Sequence, residues 1–397
     1  MLCYIADKPY NKVFKQGDIA HQSAKIKLVL FDALRSHIHW LPLYLRAFWL
    51  NRPGVYYCAR ALIGAEDSIT IEWSSRSYMV AISIQIEGQN GLTWSYWKQI
   101  VKTVEDLGFA GLFRSDHFTN ARPPDKDSLE MVVSLTYLAD HTQRIHFGSL
   151  VAPISFRNPA LLARQAAALD DLSGGRMILG IGAGWQDREH RLFGHELGDV
   201  PNRMARFEEG LEVITRLLKS DEPVTYEGRF FQLRGAILLP RPQRPGGPQI
   251  LIGGNGPKRT LPLVVRYADM WNANFLSPGA FRERSATLDQ LLRASGRNPS
   301  DVKRTVMLSL FFGRDMTELD RRLSDLLHEP GYAGKSLDKV IDDLRAGGYA
   351  IVGTSDMIIE QIKAYENAGA AELVLQWFDL DDLEGLRAFA TSILPQL

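Results

Sequence analysis

Cysteine is scarce in this chain of 397 residues, which contains only Cys3 and Cys58. Two cysteines so far apart form neither a metal-ligand set nor a disulfide framework, and they fit a protein of the reducing cytoplasm. Long apolar runs are also missing, because the most apolar stretch, residues 39–50, is interrupted by Pro42 and Arg46. It is too short to cross a bilayer. The start of the chain lacks the pattern of a secretory signal, so we expect neither secretion nor a membrane segment.

An excess of charge of either sign is absent as well, since Lys and Arg together number 46 and so do Asp and Glu. Without a net charge, no long-range field draws the protein to nucleic acid or to anionic lipid. The chain also has no short repeat and no low-complexity tract. We therefore expect a small-molecule substrate rather than a nucleic-acid or membrane partner, and any anionic ligand must be held by local groups.

Residues 1–78 differ from the rest of the chain, because they show no sustained helix or strand period and no alternation of the two. Three interpretations are open: an over-extended start of the chain, a poorly ordered leader, or an appended surface module. We favour the first two. The predicted organisation is therefore an N-terminal extension over residues 1–78 and one large domain over residues 79–397.

Strand-like and helix-like segments alternate from residue 79 onward, which is typical of a parallel sheet built from βαβ units. Several of the strands are near-continuous apolar runs, as expected of strands buried on both faces. We predict a closed (β/α)8 TIM barrel with insertion segments, because the alternation shows no clear break that would favour the rival, an open doubly wound sheet. The eight predicted strands lie at residues 80–86, 109–116, 144–153, 176–185, 248–254, 269–275, 302–312 and 371–378.

Polar side chains stand at the carboxyl ends of several predicted strands, where barrel enzymes carry their chemistry. These side chains are Gln85, Glu87, Asp116, His117, Ser149 and Asn272. Asp116 and His117 raise the question of a metal site. Barrel metal sites usually gather several histidines and carboxylates from different strands, and the first strand has no His-x-His pair, so we expect no metal. For His117, a structural hydrogen bond and a contact to cofactor or substrate both remain open.

A glycine turn follows the fifth predicted strand and leads into a helix predicted over residues 257–268. Unpaired N–H groups at a helix N-terminus, together with the helix dipole, favour phosphate at this place. In this interpretation Gly253, Gly254 and Gly256 allow close approach and positive φ, and Asn255 tolerates the left-handed region. The alternative is that the glycines only shape a tight turn.

A second glycine-rich stretch, GIGAGW at residues 180–185, resembles a dinucleotide-binding fingerprint. That fingerprint opens a helix in the first βα unit and is followed about 20 residues later by an acidic side chain. Neither condition is met here, so we reject a Rossmann site. The small residues Gly182, Ala183 and Gly184 instead leave room for a flat ring above the barrel mouth.

Several linked motifs resemble the bacterial-luciferase-like superfamily, in particular its branch of coenzyme F420-dependent oxidoreductases. The resemblance spans about residues 79–378, and residues 1–78 have no counterpart. It implies a (β/α)8 barrel with an insertion, whose members bind a reduced flavin or deazaflavin across the C-terminal face of the barrel. The motifs are FRSDHF (113–118), GSLVAPISFRNPALLARQAAALDDLSGGRMILGIGAGW (148–185), RFEEGLEVITRLL (206–218), VTYEGRFFQL (224–233) and ILIGGNGPKRTLPLVVRYADMWN (250–272).

The resemblance also implies residue roles, taken position by position. A non-proline cis peptide is expected at Leu150–Val151 or one position earlier. The candidates for proton delivery are His117, Asp116 and Glu87. With the polar strand ends included, the candidate cofactor-binding residues are Gln85, Ser149, Leu150, Val151, Gly182, Ala183, Gly184, Gly253, Gly254, Asn255, Gly256 and Asn272.

Three functions are compatible with the sequence. The first is an F420-dependent oxidoreductase that moves a hydride between C5 of the deazaflavin and a small organic substrate. The second is an FMN-dependent monooxygenase that uses O2 and reduced flavin from a separate reductase. The third is a non-catalytic flavin-binding barrel, which the polar residues Gln85, Asp116, His117 and Asn272 argue against. Exposed apolar helices in the family often build dimers, so the resemblance implies a homodimer.

Two segments outside the predicted barrel strands carry further expectations. Residues 224–248, rich in Pro and Gly, predict a small hairpin and an extended loop near the rim of the site. In that segment Tyr226, Phe230 and Phe231 are expected to anchor the core. Residues 312–354 are expected to be irregular, as either a substrate lid or a plain surface excursion.

Overall fold

A computed structural model of the chain describes residues 26–29, 56–63, 68–76, 80–324, 326 and 331–397. The chain divides into two compact units, Met1–Met79 and Val80–Leu397. No helix in these described ranges is both long and apolar enough to cross a membrane.

The first unit contains three antiparallel strands, β1 (Ile26–Val29), β2 (Tyr56–Ile63) and β3 (Ser68–Arg76). The strand β3 lies in the middle and pairs with both others. These strands were not expected, because the sequence shows no sustained strand period there. Most of the segment, including Cys3, lies outside the described residues, so the interpretation of residues 1–78 as an extension stays a prediction.

The second unit alternates strands and helices in the order that the sequence predicts. Its strands are β4 (Ala81–Ile86), β5 (Gly111–Arg114), β6 (His146–Ser149), β7 (Ala152–Pro153), β8 (Met177–Gly182), β9 (Val224–Glu227), β10 (Gln232–Ala236), β11 (Gln249–Gly253), β12 (Met270–Asn274), β13 (Lys303–Phe312), β14 (Ala350–Gly353) and β15 (Glu372–Gln376). Its helices are α1 (Trp94–Leu107), α2 (Met131–His141), α3 (Pro159–Ser173), α4 (Asp187–Phe193), α5 (Val200–Lys219), α6 (Thr260–Tyr267), α7 (Pro278–Ala294), α8 (Met316–Leu323), α9 (Leu337–Gly347), α10 (Ser355–Asn367) and α11 (Leu383–Ile393).

Eight parallel strands close into a barrel in the order β4, β5, β6, β8, β11, β12, β13 and β15. The strand β15 pairs with β4, with Gln376 opposite Gln85, and so joins the last strand to the first. The pairing of β11 with β8 removes the remaining edge. The predicted (β/α)8 barrel is therefore confirmed, the open sheet is excluded, and each predicted strand contains one barrel strand.

The inside of the barrel is layered, because residues two apart on a strand share one face. On β4 and β15, Ser83 and Glu372 lie toward the N-terminal end, whereas Gln85 and Gln376 lie toward the C-terminal end. Between these polar layers an apolar cluster fills the barrel, as in other barrels whose interior is packed rather than open. The cluster consists of Phe113, Leu150, Ile178, Leu251, Met270 and Val374.

The helix α3 begins where the sequence predicts it. Asn158 precedes it, and the Asn158 side chain accepts a hydrogen bond from the backbone N–H of Ala160 at 2.9 Å. Pro159 occupies the first helical position, where its missing N–H costs nothing. The helix ends at Gly174, whose φ of 70° is the left-handed conformation that glycine adopts without strain. The cap holds the segment 154–158 at the rim of the barrel.

Residues 312–354 are more regular than expected. They contain α8, α9 and β14, and the two helices share a small core of their own. On α9, Val340, Ile341 and Leu344 have the spacing of an amphipathic helix and are buried. The glycines around this segment concealed that period in the sequence.

The predicted hairpin near residues 224–248 is confirmed. The strands β9 and β10 pair antiparallel, with Gln232 opposite Glu227. In the segment before it, the helix α4 was not predicted at all. Because α4 lies directly after β8, it brings additional side chains to the C-terminal rim of the barrel.

Candidate functional site

A carboxylate network lies at the C-terminal end of β4. The side-chain amide of Gln85 donates to Glu87 Oε1 at 3.0 Å, and the amide of Gln376 donates to the same oxygen at 2.5 Å. The amide of Gln89 donates to Glu87 Oε2 at 2.9 Å. Glu87 thus orients three amides and ties the first barrel strand to the last.

Two buried acceptors in the barrel have no protein partner among the described residues. They are Oε1 of Gln85 and Oδ1 of Asn272. The amide nitrogens of both side chains are used: Gln85 Nε2 also donates to the carbonyl of Leu150 at 3.0 Å, and Asn272 Nδ2 donates to Thr305 Oγ1 at 2.8 Å. A buried acceptor without a donor costs about 1–3 kcal/mol, so such atoms fit a site that a ligand N–H completes.

The end of β6 forms a bulge over the barrel mouth. The Leu150–Val151 peptide is cis, at the first of the two positions that the resemblance implies. The Val151 side chain lies so close to two neighbouring strands that a Cβ at Gly182 would sit 2.6 Å from it, and a Cβ at Gly253 3.1 Å. A side chain at Gly182 would therefore displace Val151, and one at Gly253 would crowd it. Ser149 is already bonded, because its hydroxyl donates to the carbonyl of Gly180 at 2.8 Å.

The loop after β8 turns at Gly184, whose φ is 85°. A Cβ at Gly184 would lie 3.2 Å from Ser155 Oγ, so the loop is packed against the segment that follows β7. The carbonyl of Gly182 accepts the backbone N–H of Ile154 at 3.0 Å. Between these glycines Ala183 is half-buried. The loop is thus small and rigid, as the interpretation of a ring-binding surface requires.

The glycine turn after β11 differs in detail from its prediction. Only Gly254 has a positive φ, 126°, and its N–H donates to the carbonyl of Asn272 at 3.0 Å. The expectation of positive φ at Gly253 and Gly256, and of a left-handed Asn255, is wrong. Asn255 instead bonds to β12, where its Nδ2 donates to the carbonyl of Asn274 at 2.7 Å.

The helix after this turn begins at Thr260, one short turn later than the prediction. The first residues beyond the glycines form a separate turn and are exposed. Among the described residues, the N–H groups of Asn255 and Gly256 have no protein acceptor. An anion at this turn can use both of these donors.

Asp116 lies in a buried ion pair rather than in the open mouth. Both of its oxygens accept from Arg157, one of them at 3.2 Å. Arg157 also pairs with Glu130. Burial lowers the pKa of Arg157, but the charge of Asp116 and the hydrogen bonds outweigh it, so this pKa is raised. The pair fastens the end of β5 to the segment 154–158. In the described part of the chain, no group of three His, Cys, Asp or Glu could hold a metal ion.

His117 is bonded to a residue that the sequence did not reveal. Its Nδ1 lies 2.8 Å from Oε1 of Glu189, and the other oxygen of Glu189 accepts the backbone N–H of Phe118 at 3.0 Å. Burial lowers the pKa of His117, but the hydrogen bond and the charge of Glu189 outweigh it and raise the pKa above 6.5. A carboxylate on Nδ1 leaves Nε2 as the nitrogen that exchanges protons with a ligand.

Aromatic side chains cover the rim next to this pair. The Trp185 ring meets the His117 ring edge-on at 5.6 Å and is 63% exposed. Phe118 stacks on Phe156 at 4.4 Å, and Phe193 contacts Phe118 at 4.9 Å. Sequence reasoning missed Trp185 and Phe193 as rim residues, because the helix α4, which follows Trp185 and ends at Phe193, was not predicted.

The comparisons with known proteins agree with this geometry. The sequence model of the family described as luciferase-like monooxygenase matches residues 77–372. A relative, the F420-dependent glucose-6-phosphate dehydrogenase of Amycolatopsis mediterranei (strain U-32), is 27% identical over 313 residues, which is 74% of this chain and 91% of the relative. The 4-hydroxyprotoasukamycin monooxygenase of Streptomyces nodosus subsp. asukaensis is 28% identical over 66% of this chain and 67% of its own length.

A solved structure shows the same fold. The F420-dependent secondary alcohol dehydrogenase in complex with an F420–acetone adduct is similar with a TM-score of 0.66 at 20% identity. The similarity covers 79% of this chain and 99% of that protein. The two proteins therefore share a fold over most of this chain.

Proposed function

Because the chain belongs to the luciferase-like monooxygenase family, we propose that it is an F420-dependent oxidoreductase. Its reaction would move a hydride between C5 of the deazaflavin and a small organic substrate. The observation that carries the proposal is the His117–Glu189 pair at the rim, since hydride transfer to or from a carbon–oxygen bond also needs a proton donor or acceptor. The F420-dependent relative that spans most of the chain supports the choice of cofactor.

The residues at the barrel mouth fit a flat heterocycle that carries a phosphate. The unpartnered acceptors of Gln85 and Asn272 match the N–H groups of such a ring. Val151 and the small loop 182–184 would support its flat face, and the free N–H groups of Asn255 and Gly256 would bind the phosphate. Coenzyme F420 supplies hydride transfer at C5 when it is bound.

The chain's own contribution is positioning and proton transfer. We assign the proton to His117 Nε2, which would take it from a substrate hydroxyl during oxidation and return it in the reverse direction. Glu189 holds the imidazole in one orientation and favours its charged form. Asp116 and Glu87 are engaged in the ion pair and in the amide network, so we assign them positioning roles.

The second candidate is an FMN-dependent monooxygenase that receives reduced flavin from a separate reductase. It is favoured by the monooxygenase relative from Streptomyces, which matches two thirds of the chain. The non-catalytic barrel has no comparable support. A protein that only stores flavin does not need a paired imidazole at the rim.

The test is to titrate the full chain with oxidised F420 and with FMN, following fluorescence quenching. Oxygen uptake is then measured with each reduced cofactor. We expect saturable binding of F420 and no oxygen consumption, because carbon at position 5 suppresses the reaction with O2. Binding of FMN alone, with oxygen uptake, would establish the second candidate instead, and a protein that binds neither cofactor would refute both.

A further inference from the structure

A cavity of about 470 Å³ lies beside the barrel mouth, between the segment 154–158 and the tip of the β9–β10 hairpin. Its inner wall belongs to the rim already described, because Ile154 bonds to Gly182, and Ser155 Oγ lies 2.7 Å from His190 Nε2. None of the roles assigned above uses this cavity. Its lining is unusual in charge, since it contains three arginines and one acidic side chain.

The three arginines are not equivalent. Arg157 is neutralised by Asp116 and Glu130. Arg206 pairs with Glu196 at 3.0 Å, but that carboxylate is 80% exposed, and exposed pairs contribute little. Arg229 has no acidic partner among the described residues. The cavity therefore contains one guanidinium group, that of Arg229, without an ion-pair partner among the described residues.

The hairpin tip is built to hold Arg229 in place. The carboxylate of Glu209 on α5 accepts the backbone N–H groups of Arg229, Phe230 and Phe231 at 2.9, 2.8 and 3.2 Å. It also lies so close to Gly228 that a Cβ there would be 2.3 Å from a carboxylate oxygen. Because this carboxylate accepts hydrogen bonds from three backbone N–H groups, it fixes the backbone of the hairpin tip.

The Phe230 ring brings two guanidinium groups together. Arg206 lies 5.3 Å and Arg229 4.8 Å from the ring centroid, both within cation–π distance. The expectation that Phe230 anchors the core is therefore wrong: its ring lines the cavity between two arginines. Two like charges on one ring repel each other, and an anion between them would remove that repulsion.

We propose that this cavity binds the acidic group, a carboxylate or phosphate, of a small molecule that extends over the rim from the barrel mouth. Guanidinium groups bind such oxyanions through paired, charge-assisted hydrogen bonds. The proposal rests on the proposed function, which places that molecule in the mouth. The acidic group belongs either to the cofactor, since F420 carries glutamate carboxylates beyond its phosphodiester, or to an anionic substrate.

The experiment uses the full chain, Arg229→Gln, and Arg234→Gln as the matched control, because Arg234 is exposed on the same hairpin and does not line the cavity. Three probes are titrated by fluorescence: F420 with its glutamate tail, the deazaflavin with only its ribityl chain, and citrate added to protein saturated with that short deazaflavin. Loss of one charge-assisted contact should weaken binding roughly tenfold in Arg229→Gln, which corresponds to about 1.4 kcal/mol.

The probes whose affinity falls in Arg229→Gln show whether the acidic group belongs to the cofactor or to a substrate. If Arg229→Gln binds tailed F420 more weakly but binds the short deazaflavin normally, the site belongs to the cofactor. If Arg229→Gln binds only citrate more weakly, the site belongs to an anionic substrate. Equal affinities of Arg229→Gln and Arg234→Gln for all probes, or equal loss for every probe including the short deazaflavin, would overturn the proposal. A chain that binds neither deazaflavin but binds citrate through Arg229 would refute the proposed function and leave this site standing.

Discussion

The two ends of the barrel use the same strands in opposite ways. At the N-terminal end, the buried carboxylate of Glu372 bonds to Lys303 Nζ at 2.7 Å, to His146 Nε2 at 2.8 Å and to the Ser83 hydroxyl. At the C-terminal end, only two residues further along β4, Gln85 keeps a buried acceptor unpaired. Charge at one end is balanced within the protein, while the other end leaves groups for a ligand. Stability and function are thus assigned to different ends of one core.

The titrating groups differ between the ends in the same sense. Burial raises the pKa of Glu372, but His146 and Lys303 outweigh it and hold this pKa far below 4.5. At the other end the pKa of His117 is raised above 6.5. The first group keeps its charge under all ordinary conditions, whereas the raised pKa of the second favours the charged form of an imidazole that can still exchange its proton.

The largest effect is expected at the N-terminal end. Replacing Glu372 with Gln removes a buried carboxylate that accepts hydrogen bonds from Lys303, His146 and Ser83, and a hydrogen bond to a charged group contributes about 1.5–3 kcal/mol. The free energy of unfolding, measured by urea denaturation, should fall by about 3 kcal/mol. The control Glu384→Gln, on a side chain that is 86% exposed, should change it by less than about 0.5 kcal/mol. If Glu372→Gln lowers the free energy of unfolding by less than about 1 kcal/mol, the N-terminal end of the barrel does not have the stabilising role described here.

The next effect is expected at the C-terminal end, on rate rather than stability. In His117→Ala the proton acceptor is lost, and kcat/KM for the substrate found by screening should fall about 100-fold. Glu189→Gln keeps the imidazole but weakens its charged form, so a fall of about tenfold is expected together with a lower kinetic pKa. The control His141→Ala alters an exposed histidine at the end of α2 and should retain full activity. A fully active His117→Ala would remove the assigned role.

Much of this comparison was predictable and part of it was not. The barrel followed from local patterns, because buried parallel strands are apolar runs and helix starts such as Asn158–Pro159 have a sequence signature. The cis peptide at Leu150–Val151 came from resemblance, and its backbone position was right. In contrast, the Glu189–His117 bond joins residues 72 apart through a short helix with no motif, so nothing local indicates it.

The cluster around Glu372 escaped prediction for a similar reason. His146 and Glu372 are 226 residues apart and meet only because β6 and β15 close on the same barrel interior. For the glycine turn, the prediction of which glycines adopt positive φ was wrong. Composition predicts that the turn is tight, but the φ of each residue depends on the hydrogen bond from Asn255 to β12. Pairwise contacts of distant strands, rather than local propensity, decide these details.

The pH dependence of stability sharpens the contrast between the ends. Because the pKa of Glu372 is lowered, its contribution is present above about pH 4.5 and is lost only as the solution becomes strongly acidic. Because the pKa of His117 is raised, its contribution is present below about pH 6.5 and is lost as pH rises through the folded value. Unfolding free energies of wild type, Glu372→Gln and His117→Gln from pH 3 to 9 should show opposite windows. If the unfolding free energies of the three proteins change in parallel with pH, the two groups do not stabilise the protein in different pH ranges.

The smallest effect on stability is expected at Asn272, whose Nδ2 has a hydrogen-bond partner while its Oδ1 has none. The double variant Asn272→Leu/Thr305→Val removes the orphan acceptor and its bonded partner together, and replacing both by apolar groups is nearly neutral or stabilising. We expect the unfolding free energy to change by at most about 1 kcal/mol, while the Kd for deazaflavin rises about tenfold. The control Thr305→Val, which keeps the acceptor, should bind deazaflavin as wild type does. If the double variant binds normally, the unpaired acceptor serves no ligand and the C-terminal end differs from the other only in its exposed side chains.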